Sequence, residues 1–582
     1  MATNFNNTPS IKLKGDFKCF KGWKAVCHKM ATAVKQKNDS NTIVVETYQG
    51  VIYEELEQEL KKGLSPELFI DTRSLMKPIE EIRKMVYPDV TDDRIFGYMT
   101  RLNVIDYFDT TKIEAARKEI EKTTGTVLVL GPGASFTMNN NDLLVYADMA
   151  RWEIQMRMRR HEVDNLGLSN RDTEDWKLLY KQGYFVDWRA CDRLKKKLFD
   201  RIDLVLDTNI QGLPKMIENQ AALEGYRQVV NQPFSVVPFF DPGPWGGQWM
   251  KEVCNLDKSK ENYAWCFNCV PEENSLLLEV DDELVELPSI NIVFRHPQAL
   301  LGEAVYGRFG DEFPIRFDLL DTMDGGNLSL QVHPMTEYIQ EKFGLQYTQD
   351  ESYYMMDAGE DAIVYLGFKE GVDPEECMKD LERAQTEGSS FNAEKHVETL
   401  PVKKHDHILI PAGTIHCSGK NSMVLEISAT PYIFTFKLWD WDRLGLDGKP
   451  RPINLEHGKQ VLQWDRTTQW TKDNLVNRNE KIAEGDGWME ERTGLHKSEF
   501  IETRRHWFTK QVAHSTPFGV EVICLVEGDE VIIESPGEGF EPFVLHYAEV
   551  AVIPANIKEY TIRPHGSGQG QKCCTLKAYV RS

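Results

Sequence analysis

In Leu328-Ser329-Leu330-Gln331-Val332-His333-Pro334 apolar and polar residues alternate, so a strand here projects Ser329, Gln331 and His333 from one face. Much later, Ile410-Pro411-Ala412-Gly413-Thr414-Ile415-His416 runs an apolar strand into a Pro-Ala-Gly turn and launches a histidine into the next strand. Between them, Gln349-Asp350-Glu351-Ser352-Tyr353-Tyr354-Met355-Met356 reads as a third strand and supplies a carboxylate, Glu351. An amide oxygen (Gln331), two imidazoles (His333, His416) and that carboxylate make four N/O ligands for one divalent ion. Such a set suits Zn2+ first, with Mn2+ or Fe2+ as alternatives, over a thiolate-seeking metal. A lone histidine in an apolar strand is ordinarily a core residue bonded to a backbone carbonyl. Here the combination carries the reading, and it requires strands closed into a small β-barrel.

The rest of the chain sets the surroundings. Its 582 residues allow several domains. A net charge of −23 argues against nucleic acid and anionic membrane as partners, and it means that any site for a phosphate must build local positive potential. The stretch Met1 to Gly15 is polar, and no apolar run is long enough to span a bilayer. The 11 cysteines are scattered, several in apolar runs such as those of Cys417 and Cys524, as expected of free thiols in a reducing, cytoplasmic setting. Cys266-Phe267-Asn268-Cys269 has no second pair at zinc spacing and reads as structural.

Residues 1–230 read as an α/β domain. Thr42 to Glu46, Thr126 to Leu130 and Ile202 to Asp207 are strands, Ile52 to Leu60 is a helix, and a charged helix is expected from Asp142 to Arg160. The arginines of Met156 to Arg160 are expected to face solvent or a partner. The domain looks like a degenerate nucleotide-kinase-type fold, because its first strand–helix loop lacks the Gly-x-x-x-x-Gly-Lys-Ser/Thr pattern. A Pro- and Gly-rich stretch from Pro233 to Gly247 leads into strand-dominated sequence with helical inserts such as Pro374 to Ala384. Val552-Ile553-Pro554-Ala555 echoes Ile408 to Ala412, which implies a second barrel over 496–582 after a first over 231–495. Glu559 stands where His416 would be, so the second barrel is expected to be metal-free.

With these motifs in order, the chain from about residue 235 onward resembles the type I mannose-6-phosphate isomerases, which are metal-dependent cupins. The resemblance rests on Leu328 to Pro334, Glu351 to Met356, Val364 to Lys369, Leu409 to His416, Leu425-Glu426-Ile427, Lys437 to Arg443 and Trp245-Gly246-Gly247. It implies two cupin (jelly-roll) barrels, metal ligands at Gln331, His333, Glu351 and His416, and a substrate contact at Ser329. The partner expected is a sugar phosphate, and a homo-oligomer is compatible with the sequence.

Three positions depart from the family. Gln349 replaces a lysine favoured as catalytic base, Lys437 replaces an arginine, and Asp318 replaces a lysine, with Arg316 two residues away on the same strand face. Lysine keeps the charge but loses the planar fork of arginine, and glutamine cannot abstract a proton. The expected reaction interconverts mannose 6-phosphate and fructose 6-phosphate. Lys437 and Asp350 are the catalytic candidates, Asp318 is a further candidate base, and Ser329 and Arg316 bind substrate. The alternatives are a non-catalytic sugar-phosphate-binding cupin and, more remotely, a cupin dioxygenase.

Overall fold

Five short aliphatic runs form the heart of the first unit: β1 (Thr42–Thr47), β2 (Leu68–Asp71), β3 (Val127–Gly131), β4 (Leu143–Asp148) and β5 (Leu204–Asp207). They pair in parallel in the order β2-β3-β1-β4-β5, and the antiparallel strands Lys215–Glu218 and Cys19–Lys21 extend the β5 edge. β1, β3, β4 and β5 are buried throughout, the texture of parallel strands covered on both faces. The helix Tyr53–Leu64 follows β1 and buries Tyr53, Leu56 and Leu60, an i, i+3, i+7 stripe. In the computed structural model residues 3–581 are described, apart from 38, 39, 270, 430, 431, 433, 495 and 497.

Two expectations need correction here. The first half of the anticipated helix from Asp142 is β4, an apolar run whose Val145 and Tyr146 are a β-branched and an aromatic residue, and only Arg151–Arg159 is helical. Nor is that helix solvated. Arg157 is 1% exposed and donates to the carbonyls of Gly50 (2.9 Å) and Thr208 (2.6 Å), while Arg151 pairs with Asp192 at 2.6 Å. Arg157 fastens the loops after β1 and β5, and Arg151 is tied to the helix Trp188–Leu198.

The domain boundary is not contiguous. One unit is Ser10–Gln228 together with Ser275–Arg295; the other takes Val229–Asn274, His296 onward and the residues up to Pro9. The excursion is a hairpin, Ser275–Val280 and Glu283–Pro288, joined in parallel by Ser10–Lys12. Asp281 and Asp282 both have positive φ (54° and 62°), as a two-residue hairpin turn demands. Asn291, just beyond, donates to Asp148 (2.9 Å) and Tyr226 (3.0 Å), and Lys195 Nζ reaches both Asp148 (2.7 Å) and Asn291 (3.2 Å). A fragment starting near residue 235 would therefore carry an excursion without the unit it folds into.

The second unit contains two pairs of antiparallel sheets. In the first pair, one sheet runs His407–Ile410, Glu351–Ala358, Ser422–Ser428, Arg316–Asp321, Trp265–Asn268 and Phe239–Asp241, and the other Val397–Pro401, Ile363–Phe368, His416–Ser418, Leu330–Val332 and Phe436–Trp439. The helix Pro374–Glu387 is inserted between strands of the second of these sheets. In the C-terminal pair, Ile523, Leu525 and Ile553 of one sheet pack against Val531, Ile533 and Ile562 of the other. That pair begins earlier than the expected boundary at 496: Glu480–Gly485 and Trp488–Gly494 already belong to its larger sheet, and residue 495 lies outside the described residues. All 11 cysteines are free thiols. Among the described residues no helix is long and apolar enough to cross a membrane.

Lys195 and Asp148 are both almost fully buried, so removing one partner leaves the other charge uncompensated. Lys195→Met is expected to lower unfolding stability by about 3–5 kcal/mol in urea titrations. Lys195→Met combined with Asp148→Asn should recover much of that loss; a double variant no better than the single would exclude the ion pair as the cause.

Candidate metal centre

Strand register explains why distant sequence segments meet. Gln331 stands directly opposite His416 on one neighbouring strand and opposite Lys437 on the other, so the three side chains form a row on one sheet face. His333, two residues beyond Gln331, shares that face. In the facing sheet Glu351, Ser428 and Arg316 form one row, and Tyr353, Glu426 and Asp318 the next. The turn before His416 depends on Gly413. Its φ is +88°, and a Cβ there would meet Gln463, Met335 and the Val461 carbonyl at 2.6–3.0 Å.

His333, Glu351 and His416 converge in the fully buried space between these rows, their ligand atoms all within 4.8 Å of one another. His333 Nε2 lies 3.0 Å from one carboxylate oxygen of Glu351, and His416 Nε2 lies 2.9 Å from the other. Each ring has its Nδ1 at 2.8 Å from a backbone carbonyl, Phe434 for His333 and Thr414 for His416. A carbonyl only accepts, so Nδ1 carries the proton and Nε2 of a neutral ring presents a lone pair to the carboxylate. Acceptors then face one another, and neither His333 Nε2 nor Glu351 Oε1 is aligned for a hydrogen bond. The Gln331 amide is 3.2 Å from His416 Nε2, and exchanging its oxygen and nitrogen adds a further acceptor. Without a cation, burial disfavours charge on both groups, but their mutual attraction outweighs it, lowering the Glu351 carboxyl well below its usual range and raising the His333 ring. A divalent ion satisfies all of these atoms with neutral rings, and carbonyl-anchored imidazoles are the usual support of such ligands. The residues fit a metal.

Beside this cluster lies a cavity of about 230 Å³. Gln331, Lys437 and Ser329 line it from one sheet, and Arg316, Asp318 and Glu426 from the other. Arg316 and Asp318 are an ion pair at 2.6 Å. Burial pushes the Asp318 carboxyl up to about 7 against the pull of Arg316, and burial with the nearby Glu351 charge holds Glu426 well above the usual carboxylate range. Gln349 is committed to support: its oxygen accepts from Phe434 N–H (2.9 Å) and its nitrogen donates to Glu351 (3.0 Å). Ser329 donates to Asp440 (2.8 Å), and Arg451 donates to both Ser329 (3.0 Å) and Asp440 (2.9 Å).

The four anticipated ligands thus lie together, and Lys437, Ser329 and Arg316 reach the adjoining cavity. Asp350 does not. It precedes Glu351 by one residue and points to the opposite side, where it accepts from Ala412 N–H at 2.8 Å and lines a separate small cavity with Glu499. Asp350 is therefore no candidate for a base acting in this cavity. Sequence reasoning undervalued Glu426, although a lone acid in an apolar strand was a signal, and missed Arg451, which sits in an irregular segment with no periodicity to place it.

A family profile described as a domain of unknown function (DUF8485) matches residues 22–231. The mannose-6-phosphate isomerase ManA of Bacillus subtilis (strain 168) is 25% identical over 236 residues, covering 40% of this chain and 69% of that protein. The mannose-6-phosphate isomerase of Streptococcus mutans is 26% identical over 220 residues, covering 38% of this chain and 64% of that one. A crystal structure of the mannose 6-phosphate isomerase from Bacillus subtilis aligns with 60% of this chain and 99% of its own, with a TM-score of 0.48 at 18% identity. Over about two fifths of its length, the chain is similar to mannose-6-phosphate isomerases.

Proposed function

We propose that this chain is a metal-dependent aldose–ketose isomerase acting on mannose 6-phosphate and fructose 6-phosphate. The observation that supports this most is the adjacency of a convergent His333/Glu351/His416 cluster to a cavity lined by both carboxylates and cations. Gln331, His333, Glu351 and His416 would hold a divalent ion, Zn2+ by donor set, which would supply Lewis acidity toward the sugar oxygens. The protein does the rest. Gln349 keeps Glu351 in place. Asp318 or Glu426, both facing the cavity, moves the proton between C1 and C2. Lys437 stabilises the developing enediolate oxygen, and Ser329 with Arg451 holds the phosphate. This reading replaces Asp350 as base and assigns Gln349 a structural role, so the family lysine missing there is no obstacle to turnover.

His333→Ala is expected to remove stoichiometric metal, measured by elemental analysis, while leaving a cooperative unfolding transition; full retention of metal would overturn the ligand assignment. Turnover under nitrogen should match that in air, whereas an oxygenase would stop and a binding protein would show none. Lys437→Ala should lower kcat by transition-state stabilisation worth about 3–4 kcal/mol, and Lys437→Arg should keep activity, both with unchanged metal content. Parent-like kcat in Lys437→Ala would remove that residue from the mechanism. Asp318 is competent as a base only when ionised, so kcat/KM should rise with pH through about 7. Asp318→Asn should abolish that limb; a parent-like limb in this variant would assign the proton transfer to Glu426.

A further inference from the structure

The α/β unit has a cavity of its own, about 230 Å³, that the isomerase reading does not use. It opens at the carboxyl ends of the parallel strands. Gln49 to Val51 follow β1, Arg73 to Ile79 follow β2, Pro132 follows β3, and residues 162–171 close the last side. In the order β2-β3-β1-β4-β5 the connections from β1 and into β4 leave on opposite sides of β1, and open α/β sheets place ligands in the crevice so created.

The lining divides by chemistry. Met76, Val163 and Leu166 present an apolar wall, and Ile79 on the rim is 42% exposed. Three cations face it. The Arg73 guanidinium lies 3.4 Å from the Tyr53 ring centroid and is gripped by Asp71 (2.9 Å). Arg171 is matched by Asp164 (2.7 Å) and Glu54 (3.2 Å), and rim residue Glu162 by Arg160 (2.9 Å). Lys77 differs: its ammonium donates to the Asp106 carbonyl (2.6 Å) and has no carboxylate partner among the described residues. An ammonium so placed is available to an anion and supplies the local positive potential that a chain of net charge −23 needs at such a site.

The donors that a longer phosphate chain would use are already committed. Gln49 spends both ends of its amide on Trp188 and the Asp164 carbonyl (2.8 Å each), so the loop after β1 is closed down. The amides of Gly133 and Ser135 after β3 are occupied by the Glu46 carboxylate at 2.6 and 2.8 Å. Room remains for one anionic group. One oxygen of Glu54 already lies between the guanidiniums of Arg171 (3.2 Å) and Arg73 (3.9 Å), so the cation left for a ligand is Lys77. We infer that this cavity binds a small phosphomonoester, its phosphate on Lys77 and its carbon skeleton against Met76 and Leu166.

Calorimetric titration of the metal-loaded full chain with ribose 5-phosphate, with ribose as the uncharged control, tests this. Ribose 5-phosphate is expected to bind and to slow amide hydrogen exchange in residues 47–55 and 162–171, and ribose to do neither. Lys77→Met should weaken binding at least tenfold, Lys77→Arg should restore it, and Lys437→Ala, in the barrel cavity, should leave the exchange protection in place. Absence of binding, parent-like affinity in a folded Lys77→Met, or protection confined to the barrel strands would each overturn the proposal.

Discussion

Three lone pairs and a negative charge held in a fully buried space form the constraint on which the second unit turns. Phe434 and Thr414 fix the imidazole tautomers, and Gln349 fixes Glu351 by donating to one of its oxygens, while both ring Nε2 atoms still face the carboxylate as acceptors. In a low-dielectric interior such an arrangement is costly unless a cation completes it. A divalent ion closing the cluster would also join the two sheets that supply its ligands, which would couple metal affinity to the stability of that pair of sheets.

That arrangement is only as secure as the strand register beneath it. The side-chain period of a strand is two, so a slip of one residue would turn Gln331 and His333 outward and bring Val332 in. Several features pin the register: the irregular pairing between Leu330 and Gln331, the Gly413 turn, and the burial of both flanking strands. The same parity decides which acid faces which cavity, and Glu351 and Asp350 part company for that reason alone.

Alternation made the ligands legible, because it is a local property that a strand converts directly into a shared face. The strands at Thr42, Val127 and Leu204 and the helix from Tyr53 were readable for similar reasons. What could not be read was long-range. Arg151 and Arg157 look like surface charges until their buried partners are known, and Arg451 meets Ser329 across 122 residues. The fate of 275–295 was hidden too. Its alternation marks a hairpin, but nothing local says which sheet system it completes.

That hairpin bears on synthesis at the ribosome. The first unit holds Lys195 and Asp148 buried from early in the chain, yet their neighbour Asn291 emerges only after Phe239–Asp241 and Trp265–Asn268, which belong to the other unit, have been made. Strict domain-by-domain folding during translation is therefore closed to this protein. Until residue 295 has cleared the exit tunnel, an almost complete α/β unit must wait with an open flank, while the first strands of the other unit still lack most of their partners. A nascent chain in that state is where a chaperone would be expected to act.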